Sequence, residues 1–307
     1  MKIAITGSTG FLGRHLVNIL SKENLLIIGR RPIALSTVQF YKASIDGKTN
    51  YCKALINTDV LIHCAARVHI MNDVAADPLA EFREVNTYGT LNLAKQAAVS
   101  GVKRFIYISS IKVNGETTKD GSLFGPHDTP SPKDSYGISK TEAEQQLFIV
   151  AKKTGMEIVI IRPPLVYGEG VKANFASLMN IVGKGVPLPF RAIKQNKRSL
   201  LSVYNLVDLI ITCIDHPNAA NEIFLVSDDV TISTSDLIKK LFIANGKRPL
   251  LFPVPIPFLT ILATFVGKKT LIEKLTVNLT VDIEHTKRLL DWSPPITLDE
   301  GIRRCFK

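Results

Sequence analysis

The sequence predicts an α/β protein in which helices cover both faces of a doubly wound parallel sheet, with a smaller second α/β domain after it. Three observations predict this class. Short, nearly all-apolar runs alternate with helical patterns over the first half of the 307 residues, as parallel strands buried on both faces require. A glycine-rich turn follows the first strand directly. Beyond residue 166, Gly and Pro cluster and the predicted elements shorten.

The first thirteen residues predict a strand, a glycine-rich turn and the start of a helix. Residues 1–6 are a short apolar run, and helical spacing begins at Arg14. Between them, Gly7 suits a tight turn, Gly10 leaves room for a pyrophosphate against the backbone, and Gly13 lets the helix pack close to the strand. The helix N-terminus offers free N–H groups and a positive dipole end to phosphates. Taken alone, the motif also fits an ordinary glycine-rich turn.

The second predicted strand, residues 25–29, ends at Arg30 and Arg31. In a dinucleotide-binding fold this strand end faces the adenosine ribose, where an acidic residue suits the free 2′-hydroxyl of NAD and an arginine suits a 2′-phosphate. No Asp or Glu stands here, and the planar guanidinium pairs with phosphate at two points. Arg30 therefore favours NADP(H) over NAD(H), with a solvated surface charge as the alternative.

The alternation of strand and helix continues to residue 161. The further strands are mostly apolar, and the helix before residue 100 has one apolar and one polar face. Parallel strands of this kind are joined by right-handed crossovers. The remaining predictions are strands at residues 38–41, 60–66, 104–110 and 157–161, and helices at residues 78–100 and 139–152.

The change of composition after residue 166 predicts a second domain. Residues 204–227 interrupt it, because they contain a helix at 207–216 and a strand at 223–226 that look like a return to the first sheet. We therefore expect a dinucleotide-binding domain of residues 1–165 plus 204–227. Residues 166–203 plus 228–307 form the predicted substrate domain.

The charge balance indicates phosphate-bearing ligands. The chain has 38 Lys and Arg against 27 Asp and Glu, a formal charge of +11, with 46% apolar residues. Such a balance fits nucleic acid, an anionic membrane surface or polyanionic small ligands. The basic residues are dispersed in ones and twos without interleaved aromatic residues, which favours small phosphate ligands and no nucleic acid.

Cysteine usage and the N-terminus predict a cytoplasmic protein without a metal site. The four cysteines are far apart and form no Cys-x-x-Cys pair, so neither zinc nor a disulfide framework is indicated. Cys64 falls in the strand predicted at residues 60–66, and we expect it to be a small buried hydrophobe. No signal-peptide pattern precedes the first strand.

Residues 250–266 are the most membrane-like stretch. Three prolines break it, and the apolar run after the last of them is much shorter than the roughly 20 residues of a spanning helix. We expect no transmembrane segment and a buried helix here. The alternative is a weak peripheral contact with a membrane, aided by Lys268 and Lys269.

Three further residues suggest oxidoreductase chemistry. Tyr136 and Lys140 are four residues apart, so they share one helical face if the helix begins at or before Tyr136. A nearby ammonium favours the phenolate and would lower the tyrosine pKa, so that the phenol could exchange a proton with a substrate hydroxyl during hydride transfer. Ser110 ends a strand, where doubly wound sheets place their ligands. Each signal is weak alone, but their order along one alternating pattern is specific.

These motifs resemble the extended short-chain dehydrogenases/reductases, in the NAD(P)-dependent nucleotide-sugar epimerase/dehydratase family, along nearly the whole chain. The resemblance implies a Rossmann-like sheet domain, a nicotinamide cofactor, a UDP-sugar substrate, and a homodimer formed through the long helices of the sheet domain. It is carried by Gly7, Gly10, Gly13, residues 63–66, Asn86, Ser109, Ser110, Tyr136, Lys140, residues 162–168, and residues 289–295.

The resemblance also implies roles for individual residues. Ser110, Tyr136 and Lys140 would form the catalytic triad, and Lys140 would also bind the nicotinamide ribose. Ala65, Ala66 and Pro163 would line the cofactor cleft. The full set of implied cofactor-binding residues is Gly7, Thr9, Gly10, Phe11, Leu12, Gly13, Arg30, Ala65, Ala66, Tyr136, Lys140 and Pro163.

Substrate contacts follow from the same resemblance. Asn174 and Arg198 match positions that hold the diphosphate of the sugar nucleotide, and Leu188 would lie near its base. His69 and Asn72 could touch the sugar, with a solvated loop as the alternative. Ser110 would also orient the reacting oxygen.

Three departures from the family pattern stand out. Ser44 occupies the place of an acidic residue that often meets adenine. An arginine that epimerases carry before the final helix has no match between residues 271 and 279, where Lys274 is the nearest substitute. Dehydratases carry an Asp-Glu pair where this chain has Ile111 and Lys112, so elimination of water is not expected.

The sequence therefore favours an enzyme acting at C4 of a UDP-sugar. Within the family it looks most like the branch acting on UDP-N-acetylhexosamines or their 4-keto-6-deoxy derivatives in surface-polysaccharide synthesis. Arg30 favours the 4-ketoreductase, which draws on NADPH, and the alternative is a 4-epimerase of UDP-glucose or UDP-N-acetylglucosamine. A non-catalytic NADP-binding protein and a reductase of an unrelated carbonyl are further alternatives.

Overall fold

The computed structural model describes residues 1–33, 35, 37–68, 77–265, 267 and 269–306, and for residues 173 and 174 it describes the backbone alone. His69 and Asn72, two of the predicted sugar contacts, lie outside the described residues. The side chain of Asn174, a predicted diphosphate ligand, lies outside them as well.

The strands form two sheets, and the larger one confirms the predicted doubly wound architecture. The strands are β1 (Lys2–Thr6), β2 (Asn24–Gly29), β3 (Gln39–Lys42), β4 (Val60–His63), β5 (Arg104–Ile108), β6 (Glu157–Arg162), β7 (Leu165–Tyr167), β8 (Arg198–Ser202), β9 (Glu222–Leu225) and β10 (Thr231–Ile232). Seven parallel strands have the order β3-β2-β1-β4-β5-β6-β9, so the chain winds outward from β1 in both directions. The smaller sheet has three strands in the order β10-β8-β7.

Helices cover both faces of the larger sheet. Within the described residues the α-helices are, in chain order, α1 (Phe11–Leu20), α2 (Cys52–Leu55), α3 (Pro78–Arg83), α4 (Thr90–Val99), α5 (Ser135–Thr154), α6 (Ala173–Lys184), α7 (Val203–Asp215), α8 (Thr234–Ala244), α9 (Ile256–Phe265), α10 (Lys269–Thr276), α11 (Glu284–Leu290) and α12 (Leu298–Arg304). Leu16 of α1 and Leu206 of α7 share one core cluster with the sheet. Leu93 of α4 and Leu147 of α5 share the cluster on the opposite face. The sheet is therefore buried on both sides, which explains its almost uninterrupted apolar strands.

The helix predicted at residues 78–100 is interrupted in its middle. A π turn, Glu84–Gly89, lies between α3 and α4 and contains Asn86. Such wide turns often mark functional positions because they turn a side chain away from its regular helical direction.

Helix α5 begins at Ser135, four residues earlier than the predicted start. Asp134 caps it by accepting a hydrogen bond from the backbone N–H of Gly137 at 2.8 Å. The helix ends at Gly155, whose φ of 75° is the left-handed conformation typical of a C-terminal cap. The condition for Tyr136 and Lys140 to share a helical face is therefore met.

Strand β4 is shorter than predicted and ends at His63. The chain then leaves the ladder, and the backbone N–H of Ala65 donates to the side-chain oxygen of Thr6 at 3.2 Å. Cys64 consequently lies one residue beyond the strand that was expected to contain it, and it is half-buried, not fully buried as predicted. Desolvation raises the pKa of its thiol to about 12.

The prediction of a buried helix within residues 250–266 is wrong. Helix α9 buries Leu259 and Ala263, whereas Phe258, Ile261 and Phe265 are exposed. Apolar composition therefore did not predict burial in this segment. None of the helices within the described residues combines the length and hydropathy needed to span a bilayer.

Candidate active site

The turn after β1 requires glycine at two positions. Gly7 has φ +76°, and a Cβ added to it would lie 2.6 Å from the backbone nitrogen of Ala65. A Cβ on Gly13 would lie 2.1 Å from the carbonyl oxygen of Gly7. Both spaces are closed by backbone atoms, so a side chain would push β1, α1 and the segment after β4 apart.

The N-terminus of α1 is open to a ligand. Gly10 is its N-cap and supplies no side-chain cap, and both Gly10 and Thr9 are exposed. Phe11 and Leu12, the first helical residues, are half-buried. Uncapped N–H groups at an exposed helix start can bind a pyrophosphate, so these residues fit a dinucleotide.

The other predicted cofactor residues lie around the carboxyl ends of the sheet strands. Arg30 follows β2 and is exposed, and Ala65 and Ala66 follow β4 and are half-buried. Pro163 follows β6 and is buried, with its carbonyl accepting from the N–H of Ile111 at 3.0 Å. The carboxyl edge is where doubly wound sheets bind nucleotides.

The structure brings the start of α5 close to the end of β5. The Nζ of Lys140 donates to the carbonyl of Ile108 at 2.8 Å and lies 4.4 Å from the centre of the Tyr107 ring. Ser110, two residues after Ile108, is half-buried and begins a 3₁₀ turn, where its Oγ accepts from the N–H of Lys112 at 3.3 Å. The same hydroxyl therefore acts as a local cap and stands at the strand end where a ligand would bind.

The electrostatics of Tyr136 differ from the prediction. Burial, with a contribution from the negative charge of Asp134, raises the pKa of the Tyr136 phenol well above its ordinary value. The ammonium of Lys140 does not offset this, because it bonds to the Ile108 carbonyl and lies 5.9 Å from the centre of the Tyr136 ring. The expectation of a lowered tyrosine pKa is therefore wrong for this structure.

Lys140 is itself strongly perturbed. Burial lowers the pKa of its ammonium to about 7, and the negative charge of Glu144 partly opposes that shift. A buried lysine that titrates near neutrality is a feature of functional sites, because small changes in its surroundings change its charge.

Asn86 ties the segment after β4 to helix α5. Its side chain accepts from the N–H of Arg67 at 2.8 Å and donates to the Arg67 carbonyl and to the Oγ of Ser139, both at 3.0 Å. Ser139 precedes Lys140 on α5. The π turn that carries Asn86 therefore holds the segment after β4 against the start of α5.

His63 forms a second link that its sequence motif did not reveal. Its Nδ1 lies 2.6 Å from the Oγ1 of Thr6, and its Nε2 lies 2.9 Å from the Oγ1 of Thr90. Burial lowers the pKa of the imidazole to about 3, so the ring is neutral at physiological pH. It joins the ends of β1 and β4 to α4.

Sequence reasoning missed Glu144, which is central to the buried polar network below the site. Its carboxylate pairs with the guanidinium of Arg162 at 2.5 Å and accepts a hydrogen bond from Ser109. Arg162 also donates to the side chain of Asn114 at 3.1 Å. The sequence offered one signal for this pair: Glu144 lies on a helix and Arg162 at the end of an apolar strand. Because buried charges need partners, their opposite charges could have predicted the pair.

The predicted substrate residues lie in the smaller sheet region. Leu188 is buried, and Arg198, at the start of β8, is half-buried. The Nη1 of Arg198 donates to the carbonyl of Lys274 at 2.7 Å, and burial lowers its pKa. The structure gives Arg198 a bond to the end of α10 in addition to any role toward a ligand.

The comparisons with known proteins match most or all of the chain. The model of the NAD dependent epimerase/dehydratase family matches residues 3–227. A UDP-glucose 4-epimerase of Vibrio cholerae is 53% identical over 306 residues, covering 98% of this chain and 93% of that protein.

Solved structures of low sequence identity share the fold. A UDP-glucuronic acid 4-epimerase from Bacillus cereus in complex with NAD has a TM-score of 0.80 at 21% identity, covering 100% of this chain and 97% of that one. A UDP-glucose 4-epimerase with UDP-glucose from Thermotoga maritima has a TM-score of 0.79 at 22% identity, with the same coverage.

Proposed function

Because the chain belongs to the NAD dependent epimerase/dehydratase family, we propose that it is a 4-epimerase of a UDP-sugar. The 53% identity to a protein named UDP-glucose 4-epimerase, over 98% of the chain, carries the proposal. The comparisons thus favour the epimerase, which the sequence had placed behind a 4-ketoreductase. UDP-glucose is the first substrate to test, and UDP-N-acetylglucosamine is the second because of the resemblance to the N-acetylhexosamine branch.

The proposed chemistry uses three side chains at the meeting of β5 and α5. As the phenolate, the Oη of Tyr136 takes the proton of the C4 hydroxyl when hydride leaves C4, and it returns that proton when hydride comes back to the opposite face of the sugar. Ser110 orients that hydroxyl through its Oγ. Lys140 assists when its Nζ gives up the Ile108 carbonyl and approaches the phenol, which favours the phenolate.

The family implies a nicotinamide dinucleotide, and the glycine turn fits one. When bound, this group supplies the hydride acceptor and donor for C4. Gly7, Gly10 and Gly13, together with Thr9, Phe11 and Leu12, would hold the pyrophosphate end. Ala65, Ala66 and Pro163 would line the cleft, with Lys140 on the nicotinamide ribose.

We take NAD as the coenzyme of the proposed reaction. Arg30 favours NADP because of its charge and position, but the comparisons give that preference no support. The UDP-glucuronic acid 4-epimerase of similar fold was solved in complex with NAD. An epimerase recovers its coenzyme in every turnover and does not need the NADPH pool. The Arg30→Ala variant separates the two, because loss of a 2′-phosphate contact would weaken NADP binding about tenfold or more and leave NAD binding unchanged.

Substrate binding and domain organisation complete the proposal. Asn174 and Arg198 would bind the diphosphate and Leu188 would pack near the base, in a substrate domain of residues 166–203 plus 228–307. Residues 1–165 plus 204–227 would form the dinucleotide-binding domain. A homodimer through α4 and α5 is proposed because Val99 and Ile149, on these helices, are exposed.

The direct test is a turnover assay on the purified protein. We expect interconversion of UDP-glucose and UDP-galactose with no net consumption of added dinucleotide. Steady consumption of NADPH with a 4-keto sugar nucleotide, and no epimer formed from UDP-glucose, would instead establish the ketoreductase.

A further inference from the structure

Helix α9 presents an apolar surface to solvent. We call the exposed side chains of Phe252, Phe258, Ile261, Leu262 and Phe265 the α9 surface. Their exposed fractions run from 45% for Phe252 to 85% for Phe265. The helix contains no charged residue. Exposed aromatic and aliphatic side chains on consecutive turns mark an interaction site, since isolated apolar residues alone would not cluster in this way.

Helix α9 and the chain before it pack against a second segment, residues 187–198. The N–H of Leu188 donates to the carbonyl of Leu250 at 2.9 Å, and the N–H of Phe252 donates to the carbonyl of Leu188 at 3.1 Å. The inward side of α9 packs through Leu259 against Ile193. The apolar surface and the residues around Arg198 therefore belong to one packed unit.

Nearly all of the chain's net charge lies in the two longer segments that contain this unit. Residues 171–200 and 246–276 together contain eleven Lys and Arg and one acidic residue, Glu273. The rest of the chain has 27 Lys and Arg against 26 Asp and Glu. Arg191, Lys194, Lys197 and Lys269 are among the exposed basic side chains. The basic residues appeared dispersed along the sequence, but most of the excess is concentrated in two segments that pack together.

We propose that the α9 surface and the exposed basic residues Arg191, Lys194, Lys197 and Lys269 dock the protein on an anionic lipid bilayer. Apolar side chains flanked by Lys and Arg are the composition of interfacial helices, whose apolar side enters the headgroup region while the cations face anionic lipids. A second copy of the chain fits the same surface poorly, because it would bring an equally positive face against this one. No residue of the proposed catalytic triad belongs to the docking surface.

Vesicle sedimentation with the full chain tests the proposal. We expect the protein to sediment with vesicles of phosphatidylcholine containing about one third phosphatidylglycerol, and much less with phosphatidylcholine alone. Raising the salt from about 0.05 M to about 0.5 M should weaken the binding severalfold, because salt screens the attraction. Absence of sedimentation with anionic vesicles at low salt would overturn the proposal.

Variants assign the binding to the α9 surface. Phe258→Ser combined with Ile261→Ser and Phe265→Ser should weaken partitioning about tenfold or more. The control pair is Ile19→Ser with Val230→Ser, which are 54% and 48% exposed on other elements and should bind as the wild type does. Binding that the triple variant leaves intact would overturn the assignment. Light scattering on the wild type and on each variant reports self-association. If the wild type is a dimer that does not bind vesicles, and the triple variant is a monomer, the α9 surface binds a second copy of the chain and the proposal is overturned.

A fluorescence probe reports insertion independently of sedimentation. The natural chain has one tryptophan, Trp292, which is buried. In Phe265→Trp the new indole stands at a position where the native side chain is 85% exposed, so anionic vesicles should shift its emission to shorter wavelength. An unchanged spectrum in a variant that sediments would show adsorption by charge alone and would contradict docking through α9.

Discussion

Burial shifts the pKa values of Tyr136 and Lys140 in opposite directions. Burial holds the proton on the Tyr136 phenol and removes it from the Lys140 ammonium near neutral pH. A phenol that keeps its proton can donate it to a developing oxyanion, and a lysine that titrates near pH 7 can change its charge with small rearrangements. The sequence predicted that the two residues share a helical face, but not the Ile108 carbonyl that holds the lysine away from the phenol.

The first prediction concerns the phenolic oxygen of Tyr136. Tyr136→Phe should lower turnover by about 10² to 10⁴, because it removes the group that exchanges the proton at C4 and leaves the ring packing near Phe82 in place. The control is Tyr88→Phe, at an exposed tyrosine of the π turn, which should retain full activity. Equal activity in both variants would remove Tyr136 from the mechanism.

The second prediction concerns Lys140 and pH. Burial lowers the pKa of Lys140 from 10.5 to about 7, so between these values the unfolded state binds more protons than the folded state and stability rises with pH. Below about pH 7 the full cost of burying the ammonium is present. Lys140→Met should therefore raise the melting temperature most near pH 6, and the gain should shrink as the pH rises above about 7. A gain that does not change with pH would show that the lysine is not buried in its charged form.

The third prediction concerns the buried ion pair of Glu144 and Arg162. Both side chains are almost completely buried, so Glu144→Ala should lower the free energy of unfolding by about 3 to 5 kcal/mol by leaving the Arg162 charge unpaired. The control lies two residues earlier on the same helix. Glu142→Ala removes a pair with Arg83 whose side chains are about one third exposed, and it should cost about 1 kcal/mol or less. Similar losses in denaturant unfolding would contradict the difference in burial.

The close packing of β1 against α1 depends on the absence of a side chain at Gly7 and Gly13. Gly13→Ala forces a methyl group toward the Gly7 carbonyl and should lower the free energy of unfolding by about 1 to 3 kcal/mol. It should also abolish the rise in melting temperature that added NAD produces. Gly29→Ala is the matched control, because no atom lies within 4 Å of the added Cβ. Retention of the NAD-induced shift in Gly13→Ala would show that the turn does not hold the dinucleotide.

How far the sequence predicted each element depended on local signals. The parallel strands and α5 were predictable from apolar runs and from the helical pattern, and the N-cap at Asp134 explains the earlier start of α5. The π turn at Asn86 was not predictable from a local pattern, because the bonding partners of the Asn86 side chain, Arg67 and Ser139, lie far away in the chain. Helix α9 was predicted as a helix but placed wrongly in the interior, since composition alone does not say whether a partner surface exists.

The distribution of charge over the molecule shows what only the fold could reveal. The net charge of +11 predicted an anionic partner, and the proposed NAD and UDP-sugar would both be anionic. The fold adds that residues 171–200 and 246–276 pack together and hold most of that excess. The glycine turn and the proposed triad lie outside these segments, whereas Arg198, a proposed diphosphate ligand, lies inside them. The charges of Arg191, Lys194, Lys197 and Lys269 can therefore be changed separately from the proposed chemistry.

The epimerase proposal rests on hydrogen that leaves C4 and returns to the same carbon within one bound complex. The most direct measurement is the fate of deuterium placed at C4 of UDP-glucose and followed by NMR during turnover in ordinary water. We predict that UDP-galactose forms with the deuterium still at C4, because the hydride never exchanges with solvent. Loss of the label to water, or formation of the epimer only with consumption of added NADPH, would contradict the account.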